Sequence, residues 1–150
     1  FPTVFVCKMR WNISITLILN SDLNEQKMTQ TINSETDLML AANTIREASY
    51  DLLQNAQLTS AQEEDFSAIH NSALEFINYA QGEIQVIFAN ADMASKKRVR
   101  HQLRNHLNII VGFSGILIKE LPDNLLLHMS AIRDIYQTGS TILEYVDTIQ

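Results

Sequence analysis

The chain has 150 residues, 46% of them apolar, and a net charge of −6, which is enough material for one domain and too acidic overall for non-specific nucleic-acid binding. Its four glycines and two prolines come to about 4%, where ordinary chains carry about 12%; sheet-rich folds need such turn residues in number, so a sandwich or barrel gives way to a few long helices. The single cysteine, Cys7, excludes a disulfide scaffold, and the longest stretch free of charge, Asn105 to Ile118, is 14 residues, short of the ~18 that suggest a membrane span.

Residues 1–34 read as an N-terminal arm and linker, or as the end of a preceding domain. Trp11, Ile13, Ile15, Leu17 and Leu19 alternate with Asn12, Ser14, Thr16 and Ile18, a strand period with β-branched enrichment. One or two strands cannot make a sheet domain, so the expectation is a short extended arm. The chain starts at Phe1 without the layout of a signal peptide and reads as a piece of something longer. A lone cysteine suits a reducing, cytoplasmic setting, so the sequon-like Asn12-Ile13-Ser14 is read as chance.

From about residue 35 the period becomes helical. Leu38, Ala41, Ile45, Ala48, Leu52 and Ala56 step by three and four, and Ser34 with Asp37 three residues on resembles a capping box. Thr59-Ser60 interrupts the pattern, and Glu63, Glu64 and Asp65 suit the first turn of a second helix. Phe66, Ile69, Ala73, Phe76, Ala80, Ile84 and Ile87 continue it, with Gly82 as a kink or boundary. Residues 35–92 thus read as one helical hairpin. Residues 93–150 read as another: Val99, Leu103, Leu107, Ile110, Ser114, Leu117 and Leu121 form one seam, Pro122-Asp123 stops it, and Leu125, Met129, Ile132, Tyr136, Gly139, Leu143 and Val146 form the last. Four segments with seams near the 3.5 spacing point to an all-α four-helix bundle.

The second hairpin opens on a local reversal of charge. Residues 93–104 hold Lys96, Lys97, Arg98, Arg100 and Arg104 and no acid, whereas residues 1–92 hold 12 acids and 4 bases. On a helix His101 lies about 200° from Leu103 and so faces away from the seam, sharing its face with Lys97, Arg104, Asn105 and Asn108. A neutral imidazole is a competent nucleophile toward phosphorus, and nearby cations stabilise a phosphoryl group in transit. His101 and His106 are five apart and do not face one another, so no metal site is expected. His70 reads as a partly buried residue beside Ile69, and His128 lies near a helix start.

The run His101-Gln102-Leu103-Arg104-Asn105-His106-Leu107-Asn108, with Gly112-Phe113-Ser114 after it, resembles the H-box of the dimerisation and histidine-phosphotransfer domain of sensor histidine kinases. The match holds at His101, Leu103, Arg104, Asn105, Leu107, Asn108, Gly112, Phe113 and Ser114, and Ile132 to Leu143 is similar to that family's second hairpin helix. The resemblance covers residues 93–150. It implies that His101 is the phospho-acceptor, that Asn105 positions water for dephosphorylating the partner, and that the basic cluster of Lys97, Arg100 and Arg104 helps dock the phosphoryl donor or acceptor. It implies a helical hairpin that dimerises into a four-helix bundle (a homodimer), and a response-regulator receiver domain as partner.

Two positions depart from the family pattern. Gln102 stands where the family has an acid that acts as general base, and a carboxamide cannot accept the proton. His106 stands where a proline usually bends the helix. No Gly-rich nucleotide motif is present in the chain, so ATP and Mg are expected only through a separate kinase domain. The alternative is a non-catalytic helical signalling or dimerisation bundle, for which Gln102 is the argument. A weaker internal match sets Asp37 against His101, Ile45 against Ile109 and Leu53 against Leu117, and then Phe66, Ile69, Phe76 and Tyr79 against Ile132, Ile135, Ile142 and Tyr145. On that alignment residues 35–92 are a degenerate copy of the hairpin, and one chain makes a pseudo-dimer.

Overall fold

The computed structural model describes residues 31–150, and the expected strand over residues 11–19, Cys7 and the sequon-like tripeptide lie outside them. Ile32–Gln150 form one compact unit that contains both hairpins. The fold is all-α, with no strand among the described residues. Four long helices are present: α1 (Glu35–Asn55), α2 (Ser60–Gly82), α4 (Met93–Glu120) and α5 (Met129–Asp147). A five-residue helix, α3 (Ile84–Phe88), sits between α2 and α4, and a 3-10 turn over Asp123–His128 leads into α5. No described helix is long and apolar enough to cross a membrane.

The helix ends follow from local chemistry. Ser34 caps α1 by accepting from the Asp37 N–H at 3.1 Å, and the Asp37 carboxylate accepts from the Asn33 N–H at 3.1 Å, satisfying donors that the first turn leaves orphaned. Thr59 and Gln62 form a full capping box at the start of α2. Asp92 caps α4, accepting from the Ser95 N–H at 2.8 Å and the Ser95 hydroxyl at 2.7 Å; those bonds hold its carboxyl below the ordinary range. Gly82 is the last residue of α2, so the Ile84 and Ile87 seam belongs to α3, where Ile87 is still buried. α4 ends at Leu121, whose left-handed φ of 44° closes the helix before Pro122. Leu121 is consequently 48% exposed and not part of the seam.

Each long helix packs on two others: α1 on α2, α2 on α4, α4 on α5, and α5 back on α1. Cross-contacts run in opposite senses along successive helices, as with Ser49 on His70, His106 on Glu75 and Arg104 on Asp147, so the ring is antiparallel. Both hairpin turns lie at one end, the foot. There the side-chain amides of Gln62 and Asn124 bond reciprocally at 3.2 and 2.6 Å, and Asn124 also donates to the Gln57 carbonyl at 2.9 Å. The head, at the opposite end, gathers α3, the start of α4 and the end of α5, with the Phe88 and Tyr145 rings stacked 6.0 Å apart.

Burial repeats in register between the two hairpins. In α1 the buried positions are Leu38, Ala42, Ile45, Ser49 and Leu52; in α4 they include Leu103, Leu107, Ile110, Ser114 and Leu117, the same spacing 65 residues on. Even the serines match. Ser49 donates to the Ile45 carbonyl at 2.8 Å and Ser114 to the Ile110 carbonyl at 2.6 Å, so each buried hydroxyl is satisfied inside its own helix. Phe66, Ile69, Ala73, Phe76 and Ala80 of α2 correspond in the same way to Ile132, Ile135, Gly139, Ile142 and Val146 of α5, 66 residues on. The structure therefore moves the internal alignment of the first helices by one residue. Thr36, not Asp37, stands against His101, and Asp37 stands against Gln102. It also moves parts of two seams: Ala42 and Ser49 replace Ala41 and Ala48 at the centre of α1, and Ile135 and Ile142 replace Tyr136 and Leu143 in α5.

The glycines and one foot carboxylate give measurable consequences. A Cβ at Gly139 would meet Val111 at 3.1 Å and Ile110 at 3.2 Å, whereas one at Gly112 would meet nothing within 4 Å. Gly112→Ala should therefore raise the unfolding free energy by about 0.5–1 kcal/mol, and Gly139→Val should lower it by about 1–3 kcal/mol through overpacking, both read from urea midpoints. Burial, then Glu120 and Glu64, raise the Asp65 carboxyl above its ordinary 3.8. A raised carboxyl favours the protonated form in the fold, so its cost is absent below the ordinary value and develops as pH rises through the raised one. Asp65→Asn should be more thermostable than wild type at pH 7, and the gap should close as the melts are taken below pH 3.8.

Candidate functional site

His101 lies in the head half of α4, eight residues past the first residue of the helix, and it is exposed. The backbone around it is regular helix. α4 runs unbroken for 28 residues, with His106 at the position where the resemblance has proline. His106 itself is half-buried and faces α2, its Nδ1 3.3 Å from Glu75 Oε2. The two histidines thus point to different surroundings, and no group of three histidine, cysteine or acidic side chains among the described residues is placed to hold a metal ion.

The cations around His101 divide into two sets. Arg98 pairs with Glu83 at 2.8 Å and donates to the Tyr79 hydroxyl at 3.1 Å, tying α4 to α2. Lys96 reaches the Gln150 carbonyl at 2.7 Å, Arg100 the Ile149 carbonyl at 2.8 Å, and Arg104 the Asp147 carboxylate at 3.0 Å. These three, four residues apart, form a line of cations along the C-terminal end of α5. That end carries unsatisfied carbonyls and the negative pole of the helix dipole, so cations there are stabilising. Arg100 and Arg104 therefore face the end of α5 in this structure. Lys97 is the cation of this segment with neither an ion pair nor a side-chain hydrogen bond among the described residues, and it stands one turn before His101 on the same face.

Asn105 and Asn108 are exposed on that face too, and neither bonds to another described side chain. Gln102 is exposed beside His101. What the structure brings together around the imidazole is thus Lys97, Asn105, Asn108 and Arg104, the last shared with Asp147. The arrangement offers a nucleophilic nitrogen open to solvent, an adjacent positive charge, and carboxamides that donate and accept hydrogen bonds. It offers no carboxylate within one turn of His101 on α4.

His70 is half-buried on α2, with Nδ1 3.2 Å from both the Arg46 carbonyl and the Ser49 hydroxyl. A carbonyl only accepts, so Nδ1 carries a hydrogen. His128 ends the 3-10 turn immediately before α5. Sequence reasoning passed over the partners Asp147, Glu75, Glu83 and the Ile149 carbonyl. The four-residue spacing of Lys96, Arg100 and Arg104 was the available signal that these cations lie along one line of the helix.

Comparison with known proteins returned no matching family model, no matching curated protein and no matching solved structure, so the reading of this site rests on its own residues and geometry.

The cation line should act on the end of α5. Arg100→Ala leaves the Ile149 carbonyl without its donor, and amide exchange over residues 145–149 should accelerate by about tenfold. Exchange at the foot should stay unchanged. Equal acceleration at both ends would show that Arg100 supports the whole unit and not the end of α5.

Proposed function

We propose that this chain is a histidine phosphotransfer module of a two-component signalling pathway, with His101 as the phospho-acceptor and a receiver-domain aspartate as its exchange partner. The observation that carries the reading is the placement of His101. It stands exposed on the outward face of an unbroken helix, inside the H-box-like run, with Lys97 one turn before it and Asn105 one turn after. The imidazole lone pair attacks phosphorus, the phosphorus–oxygen bond to the donor breaks, and the electron pair leaves on the donor's carboxylate oxygen. Lys97 offsets the charge of the group in transit, with Arg104 and Arg100 available to it only by releasing the end of α5. Asn105 orients the water or the phosphoryl oxygens in the reverse direction. No ATP is used by these residues; a separate kinase domain would supply it.

The repeat of buried positions supports a reading in which both hairpins of the bundle come from one chain, a pseudo-dimer with a single acceptor. The first hairpin carries Thr36-Asp37 where the second carries His101-Gln102, so each has half of the family's His-acid pair. Asp37 is committed to its helix cap, on a helix that is not a ring neighbour of α4, and so it does not replace the missing general base.

A second reading, a non-catalytic signalling bundle, is favoured by the use of Arg100 and Arg104 as packing groups and by Gln102. Labelling separates the two. After incubation with phosphorylated receiver domains, or with a separate ATP-binding kinase domain, the wild type should carry acid-labile phosphate and His101→Gln none. Asn105→Ala should keep the label while slowing dephosphorylation of the receiver by about 10²-fold. Wild-type labelling no higher than that of His101→Gln across several donors would leave the non-catalytic reading standing.

A further inference from the structure

The groove between α1 and α2 holds charge that the buried seams do not call for. It has a volume of about 320 Å³ and is lined by Arg46, Glu47, Tyr50, Asp51, His70 and Leu74, which puts it at the lower end of the range for small-molecule sites. At the shared register the second hairpin has Val111, Gly112, Gly115 and Ile116 in place of the four residues of α1, and Tyr136 and Ser140 in place of the two of α2. The same kind of core is built there with no charge at any of these positions. Arg46, Glu47 and Asp51 are therefore features of the groove and not of the packing.

Arg46 is the unsettled member. Its Nε is the one buried side-chain nitrogen or oxygen among the described residues that has no hydrogen-bond partner. Its pairing with Glu47 is 3.7 Å long, from Nη2 to Oε1, beyond hydrogen-bond reach. A buried donor without a partner carries a desolvation cost that an acceptor removes, and a guanidinium fork takes a carboxylate at two points. The Arg46 side chain is 39% exposed, so the fork can turn toward an acceptor in the groove without disturbing the core. The walls supply the opposite charge. Glu47 and Asp51 are exposed one turn apart on α1, and Asp51 has no ion-pair partner among the described residues. The Tyr50 and His70 rings beside them lie 6.0 Å apart, tilted by 44°, and the His70 ring is held in place through Nδ1 by the Arg46 carbonyl and the Ser49 hydroxyl.

Charge and length select the ligand. The groove presents one cation and two carboxylates, and a basic amino acid presents one carboxylate and two cations. Arg46 and Asp51 are five residues apart, about 7.5 Å along the helix axis, a span that the four-carbon stem of lysine covers between its two ends. Aromatic rings attract a cation, and Leu74 offers the stem an apolar contact. We infer that the α1–α2 groove binds a free basic amino acid of the lysine class, with its carboxylate on Arg46, its α-ammonium on Glu47 and its side-chain cation on Asp51 beside the Tyr50 and His70 rings. No residue of the His101 face lines this groove, so the inference stands apart from the phosphotransfer reading. The groove is open and its carboxylates are screened by salt, which puts the Kd of so small a ligand in the millimolar range.

The test is a two-dimensional NMR titration of the whole chain with lysine at constant pH and chloride. The Tyr50 and His70 ring signals should shift and saturate at one lysine per chain. The amides of Gly112 and Gly115, at the matching positions of the second hairpin, should stay in place. Cadaverine lacks the carboxylate and norleucine lacks the terminal cation, and each should bind about tenfold more weakly than lysine. The substitutions should then cross with the ligands. Arg46→Gln should abolish the preference for lysine over cadaverine and keep that over norleucine, and Asp51→Asn should do the reverse, with unchanged circular dichroism showing that the fold is kept. Shifts that rise linearly without saturating, cadaverine or norleucine binding as well as lysine, Gly112 and Gly115 moving as far as His70, or each substitution weakening all three ligands alike would overturn the inference.

Discussion

The fold depends on one repeated constraint, the register of the buried seams of α1 and α4 and of α2 and α5. A side chain the size of Leu contributes about 1.5–3 kcal/mol when fully buried, and each hairpin alone would leave one side of its seam in water. Closing the ring buries Leu38, Ile45, Phe66 and Phe76 of the first hairpin with Leu103, Ile110, Ile132 and Ile142 of the second in one cluster. The paired serines show how closely the two halves correspond. Ser49 and Ser114 occupy the same turn of their helices, are both fully buried, and both return their hydroxyl to the carbonyl four residues back. Gly139, where the second hairpin needs the smallest residue, corresponds to Ala73, itself a small core residue of the first.

That register decides what the surface can do. Because the core alternation is shared, a position that faces outward on α4 faces outward on α1, and the differences in charge and chemistry between the hairpins fall at exposed and groove positions. His101 against Thr36, Ile116 against Asp51 and Lys119 against Gln54 are all such differences. The buried framework stays two-sided while the exposed chemistry is one-sided. The basic segment before His101 belongs to both levels. Lys96, Arg98, Arg100 and Arg104 hold the head together, and Lys97 alone of the five keeps its charge toward solvent on the histidine's face. An isolated exposed ion pair such as Arg104 with Asp147 is worth little in stability.

Much of this was legible in the residues. The scarcity of glycine and proline, the helical periods, the cap at Ser34 and the break at Thr59-Ser60 placed all four long helices, and Pro122 placed the second turn. The seam of α4 was legible in full up to Leu117, because its apolar residues step cleanly by three and four. The seams of α1 and α5 were not, for a physical reason: Ala41 and Ala42, Ile135 and Tyr136, and Ile142 and Leu143 are adjacent apolar pairs, and only the partner helix decides which member turns inward. A buried serine gives no apolar signal, so Ser49 was passed over, and the internal alignment slipped by one with it. The exposure of His101 followed from its angle to Leu103. The fate of the cations did not, since their partners at Asp147, Ile149 and Glu83 are distant in sequence and are brought near only by the ring.

One chain supplies both hairpins of the ring and buries their seams against each other, with a single His101 exposed on α4. Sedimentation velocity over a hundredfold range of concentration tests it most directly. One species at the monomer mass of 17.0 kDa should be present throughout, with thermal unfolding cooperative and its midpoint independent of concentration. A dimer that dissociates on dilution, with a midpoint that rises with concentration, would contradict it.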